Sequence, residues 1–288
     1  MDKKKRAGRF ALFSCAALVF LIAALCTGGG GKHESIQEVM QDAVLHSSAK
    51  IGLFGLTEVN PGLISAFTVT GILILAALIL RIFVIPRFQL IPGRLQLLLE
   101  QAVGLFDGLA KTNSPHKNGF LGAYIFTAGT YIFIGTLFEL FGLQAVTTAG
   151  HSISLPAPLS DINGAIAMGF LSYGVILSGG IAANGLKGAG STLKDFSLPI
   201  SMSFRLFGAL LSGALVTELV YYYLQLSFVL PVIVGVLFTL LHALIQAYVL
   251  TMLTSVFYGE VTEPSEKNEK KAAKADRGSA GPKTAAQS

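Results

Sequence analysis

Arg205 is the residue whose type and position point most directly to chemistry. It is the only Lys or Arg between Lys194 and Lys267, and it lies in one of the most apolar stretches of the sequence. A guanidinium stays protonated in essentially any protein environment. At membrane depth such a charge costs between about 3 and more than 10 kcal/mol. The sequence therefore predicts a functional site at Arg205 and a partner that stabilises its charge.

A row of polar residues in the last apolar stretch supplies one candidate partner. Thr239, His242 and Gln246 are spaced by three and four residues, so in a helix they lie on one face. If the last two stretches form an antiparallel hairpin, Gln246 falls beside Arg205 and its carboxamide can bond the guanidinium. For His242 two interpretations are open: it satisfies a backbone carbonyl, or it carries protons.

The Arg205 stretch has two further polar residues of interest. Ser212 shares or neighbours the face of the arginine. Glu218 lies about 20 Å farther along a helix axis and faces away from Arg205, which excludes a salt bridge between them. The two charges are therefore expected to serve different surfaces of one helix.

Composition assigns these residues to a membrane protein. Of 288 residues, 52% are hydrophobic and 13% are charged, whereas soluble domains carry about 25% charged residues. The net charge of +5 comes from residues in the termini and loops, as membrane topology requires, so it does not indicate nucleic-acid binding.

Five apolar stretches are long enough to cross a bilayer of about 30 Å, and they occupy 62–84, 119–143, 163–183, 198–224 and 228–258. The segment 94–110 is amphipathic instead. It is predicted to lie in the membrane interface, with packing against other protein as the open alternative. The predicted fold is all-α and polytopic, with five membrane segments plus this interfacial helix. The last two segments form a long, tilted hairpin that turns at 225–227.

The distribution of basic residues predicts the orientation. Five Lys or Arg lie between Arg81 and Lys117, the next loop at 144–162 has none, Lys187 and Lys194 follow, and six lie beyond Pro264. Basic loops remain on the cytoplasmic side. The mature N-terminus is thus expected outside and the C-terminus inside.

The terminal regions complete the domain prediction. Residues 1–26 have the basic and apolar parts of a signal peptide, with an uncleaved anchor or a lipidated Cys26 as alternatives. Residues 27–60 are expected to form an outer-side segment with a short helix, 61–262 the membrane domain, and 263–288 a disordered cytoplasmic tail. The two cysteines, Cys15 and Cys26, belong to the leader. Neither a metal site nor a cofactor is expected, and no phosphate-binding loop is present to bind ATP.

Four motifs together resemble one known family. The run PISMSFRLFG at 199–208, followed by IQAYVLTMLT at 245–254, is similar to the arginine and glutamine helices of subunit a of the F-type ATP synthase. SDIN at 160–163 resembles the family's Asp-x-Asn before the third span. IPGRLQ at 91–96 resembles its Pro-Gly-x-x-Gln opening of an interfacial helix. The resemblance covers about residues 80–258.

The resemblance implies a stator subunit of the ATP synthase that is not an enzyme on its own. In that family the arginine faces a rotating ring of c subunits, whose carboxyl groups carry protons between two half-channels. Arg205 would then separate the half-channels, with Gln246 as its companion. Partners implied are the c-ring, b-type peripheral stalk subunits and membrane lipid, in a bacterial inner membrane.

The sequence departs from the family where the outer half-channel is expected. Ala209, Ala214 and Thr239 stand where members usually have Asn, an acid or His, and Glu or His, respectively. Glu218 and His242 lie one turn away on their helices and are the predicted replacements.

Two acidic residues at span ends are further candidates for the proton path. Glu139 matches an acidic position at the outer end of the family's second span. Asp161 lines the outer channel or caps the third helix, where Asp is favoured.

Two other function classes are alternatives to this interpretation. A secondary transporter would use Arg205 for an anionic substrate, but its inverted repeats and broken helices are not evident in the sequence. A structural scaffold would pair Arg205 with a lipid or a partner carboxylate, and should tolerate lysine there.

Overall fold

A computed structural model describes residues 51–53, 56–116, 118–146, 152–222 and 230–263, with isolated positions 14, 15, 19 and 37. The predicted signal peptide, the short helix expected within 27–60, the hairpin turn at 225–227 and the tail beyond Glu263 lie outside these residues. The described chain is mostly helical, which confirms the predicted class.

Within the described residues, five helical segments are long and apolar enough to cross a membrane. They are Pro61–Arg87, Leu121–Phe141, Ile162–Asn184, Ser197–Val216 and Gly235–Thr262. Each corresponds to a predicted span. The helices that form them are α1 (Pro61–Ile79), α3 (Leu121–Phe138), α4 (Ile162–Asn184), α6 (Ser197–Tyr222) and α7 (Leu230–Thr262).

The first span begins and ends at identifiable signals. The Asn60 side chain accepts a hydrogen bond from the amide of Gly62 at 2.8 Å, and Pro61 occupies the first turn, where its missing N–H is not needed. After α1 the chain continues as a π-helical turn, Leu80–Val84, and a 3-10 turn, Ile85–Arg87. Pro86 cannot donate in a helical ladder, and the span ends one residue later, at Arg87.

Two helices connect the spans. α2 (Arg94–Asn113) forms where the amphipathic helix is predicted, three residues longer at its end. α5 (Leu186–Lys194) was not predicted, because its small residues read as a loop. Gly185 has φ 62°, which permits the sharp turn from α4 into α5. Any side chain at Gly188 would overlap the carbonyl of Gly180, so α4 and α5 approach each other through glycines.

Two short antiparallel hairpins add to the helices. Ile51–Leu53 (β1) pairs with Leu56–Val59 (β2), and Gln144–Val146 (β3) pairs with Ser152–Ser154 (β4). The sequence prediction missed both. Strands of three or four residues give too short a pattern to identify.

The chain divides into two compact units. The first comprises Met1–Arg87, Thr130–Ala167 and Ser203–Tyr248, and the second Phe88–Gly129, Met168–Met202 and Val249–Ser288. Val69, Phe138 and Leu155 form a buried cluster in the first unit. In the second, the ring of Tyr173 packs edge to face with Phe196 at 6.2 Å, and its hydroxyl donates to the carbonyl of Thr192 at 3.0 Å.

Candidate functional site

Helix α6 has one exposed and one buried face around Arg205. The exposed residues recur at helical spacing and form what we call the open face of α6: Ser201, Phe204, Arg205, Gly208 and Ser212. The buried residues are Met202, Ser203, Leu206 and Leu210. An apolar buried face fixes how the helix is rotated. It thereby directs Arg205 away from the interior of its own unit.

Arg205 keeps its hydrogen-bonding capacity unused. Among the residues that the structure describes, its side chain forms neither a hydrogen bond nor an ion pair. A guanidinium has five N–H donors in a planar fork that matches a carboxylate. The open face therefore presents a complete binding group for an anion.

Gly208 leaves room beside that group. It lies one turn after Arg205, and an added Cβ at Gly208 would meet no atom within 4 Å. Packing against the described residues thus does not require a glycine at this position. A flat surface at this point admits another helix close to the guanidinium.

Gln246 lies on the buried face of α7. Its side chain is 6% exposed, and its neighbours Ala243, Ala247 and Leu250 are also buried. The predicted hydrogen bond between Gln246 and Arg205 is not present among the described contacts. The physical reason is the orientation of the two helices. The rotation of α6 places Arg205 on an exposed face, whereas the rotation of α7 places Gln246 on a buried one.

His242 satisfies a backbone carbonyl, which was one of its two interpretations. Its Nδ1 lies 2.7 Å from the carbonyl oxygen of Phe238. Because a carbonyl can only accept, Nδ1 carries the proton in the neutral ring, and Nε2 is left as an acceptor. The ring also stacks on Phe238 with centroids 5.9 Å apart. This arrangement orients His242 and leaves its second nitrogen able to take a proton.

The structure gives less detail for the remaining polar candidates of α6 and α7. Thr239 is half-buried on the same side of α7 as His242, one turn earlier, and Ser212 is exposed on the open face of α6. Glu218 lies within α6, but its side chain is outside the described part of the structure.

Asp161 lies at the start of α4 and close to the start of α1. Its Oδ1 accepts a hydrogen bond from the amide of Asn163 at 2.8 Å, as a helix cap does. Its second oxygen is directed at Gly62, where an added Cβ would lie 3.2 Å from Oδ2 and 2.9 Å from the Asp161 Cβ. Capping thus uses one carboxylate oxygen and leaves the other available.

Glu139 occupies the turn that ends the second span. It starts the 3-10 turn Glu139–Phe141, which closes at Gly142 with φ 58°. The carbonyl of Glu139 accepts from the amide of Gly142 at 3.1 Å. The side chain is half-buried. Glu139 is therefore held at the end of the helix, where a carboxylate can contact water.

A group of paired polar residues, which we call the polar seam, was not predicted from the sequence: Asn113, Ser114, Ser255 and Thr262. Asn113 Nδ2 donates to Ser255 Oγ at 3.2 Å, and the hydroxyls of Ser114 and Thr262 lie 3.1 Å apart. A side chain at Gly259 would overlap the carbonyl of Asn113. The helical spacing of Ser255, Gly259 and Thr262 is the signal that could have identified the seam.

No cluster that could hold a metal ion occurs in the part of the chain that the structure describes.

Known proteins resemble this chain in amino-acid sequence. The ATP synthase A chain family matches residues 65–259. ATP synthase subunit a from Cereibacter sphaeroides strain ATCC 17025 is 25% identical over 199 residues, covering 65% of this chain and 76% of that protein. The same protein from strain ATCC 17029 matches to the same extent. The matched residues include all five spans apart from their ends, so the chain belongs to the ATP synthase A chain family.

Proposed function

We propose that Arg205 faces the c-ring and separates two proton half-channels. As a member of its family the chain is a membrane-embedded subunit of a proton-translocating ATP synthase. The observation that carries the finer proposal is the guanidinium on the open face of α6, which is exposed and has no partner among the described residues. The proposed anionic partner comes from another subunit.

The partner proposed is the carboxyl group of each passing c subunit. A nearby fixed cation favours the carboxylate form and so promotes proton release. At a separation of about 4 Å and an effective dielectric constant of about 20, two opposite unit charges attract by about 4 kcal/mol. That is large enough to control protonation, and Arg205 also repels protons that would leak directly between half-channels.

The proposed outer half-channel uses Glu218 and His242, with Ser212 and Thr239 beside them. Support comes from His242, whose Nδ1 is occupied by a backbone carbonyl while Nε2 is available. Glu139 and Asp161 lie at span ends and are proposed as entry positions. Gln246 is proposed as the companion of Arg205 that acts when the guanidinium turns between partners.

We propose the orientation that the loop charges predict, with the mature N-terminus outside and the C-terminus inside a bacterial inner membrane. A subunit of this family works in a complex, and b-type peripheral stalk subunits are the proposed neighbours that hold it against rotation of the c-ring.

Replacing Arg205 with lysine in the assembled ATP synthase tests the separator role. Lysine keeps the charge but loses the planar fork. We expect ATP-driven proton pumping into inverted membrane vesicles to fall to background, while ATP hydrolysis by the soluble part persists. Ser201→Ala, on the same open face, is the matched control and should pump normally. Wild-type pumping by Arg205→Lys would exclude a separator that depends on guanidinium geometry.

A further inference from the structure

The loop between the first span and α2 carries the most exposed apolar side chain among those described. Leu90 is 105% exposed and Ile91 is 85% exposed, and both lie in the loop 88–93. Large apolar side chains at a loop tip are unfavourable in water. The loop directly follows a span that ends at Arg87. Its position in the chain is therefore the edge of the membrane.

The loop is held in a fixed conformation by one side chain. The carboxamide of Gln96 accepts from the amide of Gln89 at 3.0 Å and donates to the carbonyl of Gln89 at 2.9 Å. Gln96 also donates to Glu100 Oε1 at 2.7 Å, which fixes the carboxamide in turn. This Gln96 clamp closes the loop in the way that a paired strand would. Because the closed loop cannot fold its tip back, Leu90 and Ile91 remain projected.

The loop and its flanks carry basic residues, and Glu100, which accepts from Gln96, is the first acidic residue after them. Arg81, Arg87 and Arg94 lie in a sequence that has no acidic residue between Glu58 and Glu100. Arg94 is exposed, and among the described residues it has no ion-pair partner. Arginine at a membrane surface binds phosphate groups through its planar fork.

The exposed side of α2 continues the apolar surface of the tip. Leu95 is 58% exposed and Leu98 is 66% exposed. Lys111 at the other end of the helix pairs with Asp107 at 2.6 Å, so Arg94 is the cation of α2 that has no ion-pair partner among the described residues. An apolar tip next to an unpaired arginine is complementary to lipid chains beneath anionic headgroups.

We propose that loop 88–93 is a lipid anchor that inserts Leu90 and Ile91 into the bilayer and binds an anionic phospholipid through Arg94. The Gln96 clamp positions the tip and does not itself contact lipid. The anchor would hold the beginning of α2 at one depth in the membrane. This inference does not depend on the half-channel proposal, because it concerns a different surface.

The absence of tryptophan from the sequence allows a direct test. Ile91→Trp gives the full chain a single tryptophan at the tip. The purified chain is reconstituted into vesicles of phosphatidylcholine and phosphatidylglycerol, with brominated acyl chains on one lipid or the other at equal mole fraction. We expect strong quenching, and stronger quenching when the bromines are on the anionic lipid. Adding Arg94→Gln should reduce that preference about fivefold, the effect of one basic residue near a charged surface.

Three further variants serve as controls for this test. Leu241→Trp places the reporter at a 55% exposed position within α7 and should be quenched equally by both lipids, which verifies insertion of the chain. Gln96→Ala should weaken quenching at Trp in position 91, while Gln101→Ala, an exposed neighbour, should not. Absent quenching at the tip with normal quenching at position 241 would overturn the anchor. Equal quenching by the two brominated lipids would overturn its preference for anionic headgroups.

Discussion

The open face of α6 and the polar seam use polar side chains in opposite ways. In the seam, Ser114, Ser255 and Thr262 are each no more than 2% exposed, and every one has a hydrogen-bond partner. On the open face, Arg205 is exposed and has no partner within the described chain. Buried polar groups are stable only when paired. Pairing inside the chain therefore marks a structural role, and the lack of it on a membrane helix marks a partner elsewhere.

The largest expected effects are loss of proton pumping at the open face and loss of stability at the polar seam. Arg205→Gln should abolish ATP-driven pumping in inverted vesicles without lowering the thermal stability of the purified full-length chain. Asn113→Ala should do the reverse and destabilise the chain by about 1 to 2 kcal/mol, because it leaves Ser255 without a donor. Stability is measured by size-exclusion chromatography after heating in detergent. Loss of stability in Arg205→Gln would break the distinction.

One glycine in each region tests how much room there is for an added methyl group. Gly259→Ala should destabilise the chain by about 3 kcal/mol, since the new methyl group overlaps a backbone carbonyl that cannot move away. Gly208→Ala meets no atom within 4 Å and should leave stability unchanged. The same heating assay measures both. If Gly208→Ala pumps poorly despite normal stability, the space beside Arg205 serves a partner, as proposed.

Substitutions of His242 and Glu218 test whether a proton path continues from the open face of α6. His242→Ala and Glu218→Ala are each expected to lower ATP-driven pumping about tenfold, the low end of what loss of a proton-transfer group causes. Leu237→Ala, at a 62% exposed apolar position of α7, is the control and should pump normally. Intact pumping in both polar variants would falsify the proposed outer path.

Asp161 gives the smallest expected effect. Asparagine caps a helix about as well as aspartate, so Asp161→Asn retains the bond to Asn163 and removes only the charge. Pumping should fall about twofold, equivalent to about 0.4 kcal/mol of barrier, at unchanged stability. If pumping is unchanged, Asp161 acts as a cap alone and belongs with the structural group.

The spans and Arg205 were predictable because their signals are local. A run of some twenty apolar residues has few alternatives to a membrane helix. A single arginine in such a run is conspicuous because placing its charge in the membrane costs free energy. The amphipathic pattern of α2 was read in the same way. The short helix α5 and the two hairpins were missed because they are too brief for periodicity to identify them.

Contacts between distant residues were beyond the sequence. Asn113 and Ser255 are separated by 142 positions, and nothing in either neighbourhood predicts their hydrogen bond. The expected register places Gln246 beside Arg205. In the structure, however, Arg205 lies on the exposed face of α6 and Gln246 on the buried face of α7. All the neighbours of a long apolar helix together determine which of its faces is buried. When nearly every residue of the helix is apolar, its sequence alone does not predict that face.

The sequence by itself determined the membrane class, the five spans, the family motifs and the charge at Arg205, because each depends on residue type and short-range spacing. Tertiary structure alone decided that Arg205 is exposed and has no partner in the described part of the chain, and that His242 is oriented through Nδ1. It also decided that Gln96 clamps the apolar tip and that the residues of the polar seam are paired. These features arise from the rotation and close approach of helices, which side-chain packing over long sequence separations sets.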